Sequence, residues 1–275
     1  MFFSTMKTSF LLLFAAIILS SCSNYQKVLS SDDTGKKYAL ADSLYKQGKY
    51  KKALKLFEQI VPVYRGKPQG ERLMFLYSNT FYNLEDYYLA GYQFERFETS
   101  YPQSDSVEVA AYRSAKSYYE LSPRYSLDQE DTYTALEKLQ NYINKYPESE
   151  KRLEANELVA ELQGKIEKKD IEIAHQNLKI AEYIGDYRPA IESYDNFIAD
   201  FPGSEYRKDA FFGRLQAAYE LALLSIPSLK EERLITAKDY YNKFLKYYSD
   251  TDLRAEADII AQDITERLGE TEPKS

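Results

Sequence analysis

Gly48-Lys49-Tyr50-Lys51-Lys52-Ala53-Leu54-Lys55-Leu56-Phe57 is the stretch that decides the fold, because its skeleton recurs along the chain. The skeleton is Tyr50-x-x-Ala53-x-x-x-Phe57. It returns as Tyr87-x-x-Ala90-x-x-x-Phe94 and Thr132-x-x-Ala135-x-x-x-Leu139, then as Tyr187-x-x-Ala190-x-x-x-Tyr194 and Leu234-x-x-Ala237-x-x-x-Tyr241. An Ala and a large residue four positions apart share one helix face. The small Ala admits a neighbouring helix closely. Each Ala is followed at a constant distance by an aromatic residue: Tyr64, Tyr101, Tyr146, Phe201 and Tyr248. Three of these precede Pro (Pro102, Pro147, Pro202), which ends the helix before it. Ser104, Ser149 and Ser204 follow, each next to an acid, and can cap the next helix.

Working outward, a second helical segment precedes each skeleton. These are Tyr38 to Gln47, Arg72 to Leu84, Val107 to Leu121, His175 to Ile184 and Asp209 to Leu223. Gly48-Lys49, Glu85-Asp86 and Gly185-Asp186 make the turns within pairs, with Gly suited to the left-handed closing position. The repeat is therefore helix–turn–helix. Successive Ala residues are 37, 45, 55 and 47 positions apart, against ~34 for a tetratricopeptide repeat, so the units carry insertions. Ser122 to Asp131 and Leu224 to Glu232 read as extended loops around Pro123 and Pro227. Lys151 to Asp170 reads as a long helix, with Gly164 the one place where it could break. Leu253, Ala257, Ile260, Ile264 and Leu268 keep a helical spacing and read as a capping helix. The fold expected is all-α: a tetratricopeptide-repeat superhelix of about five units over 32–268, its first helices lining the concave side, where extended peptides or partner helices bind.

Composition narrows the function. The 275 residues carry 36 basic and 43 acidic side chains, a net charge of −7, which argues against a nucleic-acid partner. With one Cys and one His, a Cys/His zinc site and an internal disulfide are excluded. No Gly-rich phosphate loop is present, and no constellation of catalytic groups stands out. The reading is of a non-catalytic protein without metal or cofactor. His175 reads as structural or solvated. Glu167 to Asp170 reads as a solvated helix face. Glu231-Glu232 reads as a helix entry, with nothing to supply the mutual geometry that catalytic carboxylates need.

At the N-terminus, Lys7 precedes an apolar run from Phe10 to Leu19. That run is too short for a span of about 20 residues and has the form of a secretory signal over 1–21. Met6-Lys7 would open the same pattern. Leu19-Ser20-Ser21-Cys22 resembles a bacterial lipobox, which implies that Cys22 becomes the first mature residue and carries lipid. Several acyl chains give the stable anchoring that one does not. Residues 22–31 read as a flexible tether, and 269–275 as a disordered tail.

The lipobox, the five units and the aromatic-Pro-x-Ser joints together resemble the BamD family of outer-membrane β-barrel assembly lipoproteins. Gly48 to Leu54, Phe94-Glu95-Arg96-Phe97, Tyr112 to Tyr119 and Tyr146-Pro147-Glu148-Ser149-Glu150 carry the likeness. It extends from Lys36 to Leu268. The chain departs from that pattern in its 27 Tyr residues and in having Arg65 and Ser249 where other joints have Pro. The resemblance implies an outer-membrane lipoprotein facing the periplasm. It implies a partner resembling the barrel-forming subunit BamA, bound through C-terminal repeats, with other assembly lipoproteins nearby. It implies that unfolded β-barrel proteins are received by N-terminal repeats. The competing readings are a general repeat adaptor for cell-wall or other envelope complexes, and a glycan-capturing repeat lipoprotein, which the absence of Trp disfavours.

Three columns on the first helices of pairs one to three are the candidate groove residues. They are Tyr38, Phe75 and Tyr112; then Asp42, Asn79 and Lys116; then Tyr45, Tyr82 and Tyr119. A ladder of rigid, amphipathic aromatics flanked by polar groups suits an extended segment with aromatic side chains. The same Tyr residues are also an ordinary way to fill contacts between repeats.

Overall fold

The computed structural model describes residues 24–269. The signal segment, Cys22 and residues 270–275 lie outside the described residues. Among the described residues every regular element is helical. Short turns join α1 (Thr34–Lys46) to α2 (Tyr50–Tyr64) and α3 (Gly70–Asn83) to α4 (Tyr87–Ser100). A longer connection joins α5 (Val107–Leu121) to α6 (Glu130–Lys145). After these come α7 (Arg152–Ile184), α8 (Arg188–Asp200), α9 (Arg207–Leu223), α10 (Pro227–Tyr248) and α11 (Arg254–Arg267). The chain divides into two compact units. The first runs to Pro123 and resumes over Gln129–Leu162; the second holds Arg124–Asp128 and the chain from Gln163 onward.

The repeated skeleton does what its residue sizes dictate. Ala53, Ala90, Ala135, Ala190 and Ala237 are all fully buried. So are Phe57, Phe94, Leu139 and Tyr194 at the following position. Burial of one such side chain contributes roughly 1.5–3 kcal/mol. Tyr241 is half-buried and donates its hydroxyl to Asp258 at 2.6 Å. Each apolar cluster draws on one helix pair and its chain neighbours, as in any repeat array. In the first unit, Ala115, Ala135, Leu139 and Tyr142 meet Ala155 and Leu162 of α7. In the second, Ile171, Ala174 and Ala181 of α7 meet Ala190, Tyr194 and Phe197 of α8. Gly213 on α9 makes room for the Tyr194 ring, since a Cβ there would stand 2.3 Å from Cζ.

The joints between pairs share one backbone geometry. The Ser104 N–H donates to the Tyr101 carbonyl at 3.0 Å and the Val107 N–H to the Ser104 carbonyl at 3.0 Å. Ser149 and Arg152 repeat this on Tyr146, as do Ser204 and Arg207 on Phe201. Lys67 and Gly70 repeat it on Tyr64, with Arg65 where the other three joints have Pro. The aromatic residue and the two-step turn therefore define the joint, and Pro only rigidifies it. The Ser hydroxyls do not cap the helices. Each accepts from the N–H two residues on (Ser106, Lys151 and Tyr206, at 3.0, 3.0 and 3.2 Å), before the helix starts.

Several expectations need correction. Residues 24–29 are helical where a tether was expected. Tyr25, Val28 and Leu29 form an apolar stripe against the first cluster, and the Tyr25 hydroxyl donates to the Lys52 carbonyl at 3.2 Å. The loop expected over Leu224 to Glu232 ends at Ile226, because Pro227 opens α10. Pro has no N–H to lose in a first turn, and its φ is already helical. Glu231 and Glu232 consequently lie inside α10 and not at its entry. The break allowed for near Gly164 is absent: α7 is one helix of 33 residues that also contains His175 to Ile184. Leu162 and Ile166, buried on either side, hold the helix through Gly164. A Cβ at Gly164 would meet nothing within 4 Å. Gly164→Ala is therefore expected to stabilise the protein by about 0.5–1 kcal/mol, visible as a higher midpoint in urea denaturation.

Candidate functional site

The three columns on α1, α3 and α5 separate in the structure. The first is packing. Tyr38 lies 5.6 Å from Tyr64, Phe75 5.4 Å from Phe97 and Tyr112 5.3 Å from Tyr142, ring centre to ring centre. The second unit keeps this contact, with His175 at 5.9 Å from Tyr194 and Phe212 at 6.0 Å from Phe244. His175 thus stands where an aromatic ring stands elsewhere, and burial holds its pKa below the ordinary value. Tyr112 is only 7% exposed and Asn79 2%. Both lie beneath the surface that a ligand would touch.

What remains is a polar–aromatic face confined to the first unit. Asp42 binds Lys46 at 2.8 Å and Arg72 at 2.7 Å. Tyr45 packs edge-on to Tyr50, and Tyr82 edge-on to Tyr87, each pair bridging a turn. The Arg113 guanidinium sits 5.8 Å from the Tyr82 ring centre, a cation–π contact. Tyr119 donates its hydroxyl to Glu161 at 2.6 Å. Partial burial and that carboxylate push the Tyr119 hydroxyl up to about 12. Lys116 meets Glu154 at 2.6 Å, and Lys151 meets the same carboxylate at 3.0 Å. Lys116, the neighbouring Tyr112 hydroxyl and Lys151 hold the Glu154 carboxyl down to about 2.

Arg113, Glu154 and Glu161 were not among the residues picked from the sequence. The latter two come from α7, whose first turns pack on α5 as the first helix of a further pair would. Aligning α7 on its joint at Tyr146 is the signal that finds them. Because the Glu154 pKa is depressed on folding, its contribution to stability is complete above the ordinary carboxylate value. That contribution is lost as pH falls from there through about 2. Lys116→Met should move the Glu154 midpoint upward from about 2 toward 4.5 in an NMR pH titration. An unmoved midpoint would show that Lys116 does not set it.

The face offers ion pairs, hydrogen bonds and aromatic surface. Among the described residues no group of three or more His, Cys, Asp or Glu is placed to hold a metal. No described helix is long and apolar enough to cross a membrane. The family described as YfiO, outer membrane lipoprotein, matches residues 31–187, more than half of the chain. The chain belongs to the YfiO family. This is the BamD family of the sequence reading. The YfiO match takes in the whole polar–aromatic face of the first unit and ends at Tyr187, before α8. No curated protein matches the chain. Among solved structures, the TPR2AB domain of yeast Sti1 in complex with pHSP90 is 12% identical, with a TM-score of 0.38 over 84% of this chain and 98% of that one. The C-terminal part of a TPR repeat-containing protein from Cytophaga hutchinsonii is 14% identical, with a TM-score of 0.31 over 84% of this chain and 93% of that one. YfiO membership and the helix pairs describe a repeat adaptor of the outer membrane that works through protein–protein contacts.

Proposed function

We propose that the chain is the lipid-anchored, non-catalytic scaffold of an outer-membrane β-barrel assembly machine. The observation that carries this reading is membership of the YfiO family over residues 31–187. Lipid on Cys22 holds it to the outer membrane, facing the periplasm. The face of the first unit, with Tyr45, Tyr82, Arg113, Lys116 and Tyr119, receives unfolded barrel proteins. Its half-buried Tyr rings offer amphipathic surface to alternate side chains of an extended strand. The C-terminal repeats, α9 to α11, bind a BamA-like barrel-forming subunit.

A mild-detergent pull-down from native membranes, with a tag after Ser275, tests this. The expected product is a β-barrel protein with repeated periplasmic domains. Recovery of cell-wall hydrolases or synthases alone would instead make the chain a general envelope adaptor.

A further inference from the structure

The two units contain the same site twice, filled once and empty of cations once. Aligned on their joints, α5, α6 and the start of α7 correspond to α9, α10 and α11. Fully buried positions agree: Ala155 matches Ala257, and Leu162 matches Ile264. The stack of Tyr112 on Tyr142 matches that of Phe212 on Phe244. The Tyr119–Glu161 hydrogen bond matches Tyr219–Asp263, at 2.6 and 2.7 Å. In that register Glu154 corresponds to Glu256.

The partners of Glu154 do not carry over. Lys116 becomes Gln216, Lys151 becomes Leu253 and Tyr112 becomes Phe212. Both cations that hold Glu154 are replaced by uncharged groups, and the Tyr112 hydroxyl has no counterpart. At this position the second unit has a cavity of about 520 Å³. Glu256, Gln216 and Phe212 line it, together with Glu182 and Glu220. No Lys or Arg lines it. Its remaining walls are largely apolar, including Leu178, Ile260 and Ile259, the last 69% exposed. Three carboxylates with no cation among them stand around an apolar hollow, and a cation carried on an apolar segment would complement both features.

We propose that this cavity is the docking site for a partner-protein segment that inserts a Lys or Arg side chain onto Glu256. The inserted cation takes the place that Lys116 takes in the first unit. Apolar residues beside it in the partner cover Leu178, Ile259 and Ile260. The proposal deepens the reading that C-terminal repeats hold a partner, and most of the residues that line the cavity, Glu256 among them, lie beyond the part of the chain that the family match covers.

The test uses the full lipidated chain in its native membrane, with a photo-cross-linking phenylalanine analogue at Ile259. The expected product joins Ile259 to a partner peptide with Lys or Arg within about four residues of the linked position. Gln216→Lys supplies the missing cation from within. It should lower the cross-link yield at least about tenfold while leaving the thermal midpoint equal or higher. Glu256→Gln, which keeps the shape, should lower the yield likewise and covers the case in which Gln216→Lys fails to fold. A linked peptide without a basic residue, a yield unchanged in both variants, or a link to residues 270–275 of the same chain would overturn the proposal. A basic segment from a protein unrelated to barrel assembly would uphold this site and sink the assembly reading. A barrel subunit in the pull-down with no cross-link at Ile259 would do the reverse.

Discussion

Phe94→Ala is expected to remove about 3–5 kcal/mol of stability. Phe94 is fully buried and lies in one cluster with Met74, Phe81, Phe97 and Ala110. Its ring stands 6.1 Å from that of Phe75. The residues around it belong to three successive helices, α3, α4 and α5. Each is held on its far side by another neighbour, so the vacated space cannot close by moving one of them. The loss therefore combines the transfer of a large ring with a cavity. In a repeat array it also weakens the coupling between pairs two and three. Urea denaturation followed by circular dichroism measures it. Tyr88→Ala, at a residue 68% exposed on the same helix, is the control and should change stability by no more than about 0.5 kcal/mol. Equal midpoints for the two variants would show that the Ala-x-x-x-aromatic skeleton is not what holds the pairs together.

Cys22→Ser is expected to move the protein from the membrane to the soluble fraction. Leu19-Ser20-Ser21-Cys22 resembles a lipobox, whose Cys carries the lipid. No described helix can span a bilayer, so residues 24–269 provide no spanning anchor of their own. Several acyl chains give stable attachment and one gives only marginal binding. Fractionation after a carbonate wash, with labelled palmitate as a second readout, checks the outcome. A Cys22→Ser protein that stays with the membrane and takes up palmitate elsewhere would refute the lipid assignment.

The helix pairs were legible because their determinants are local. Ala53 and Phe57 lie one turn apart, and Gly48 and Gly185 close their helices at φ 71° and 73°. Glu85 shows the limit of that rule. It adopts φ 61° at the equivalent turn without being Gly, because the pair on either side dictates the turn. The groove columns were less legible. Tyr38, Phe75 and Tyr112 have the residue types of a binding ladder, yet all three stack on the second helix of their own pair. Residue type does not distinguish a Tyr that fills a contact from one that offers a face.

By itself the sequence determined that this chain is all-helical, where its five skeletons and their joints lie, and which small and large residues build each core. These follow from spacings of three to eleven residues, over which side-chain size and backbone preference act directly. Only the tertiary structure decided that α7 runs unbroken through Gly164, that Asn79 and Tyr112 are buried, and that Lys116 meets Glu154 while Glu256 shares its cavity with Gln216. Those outcomes depend on contacts between helices separated by some forty residues of chain. Which residues face a given carboxylate is settled by which helix packs beside it.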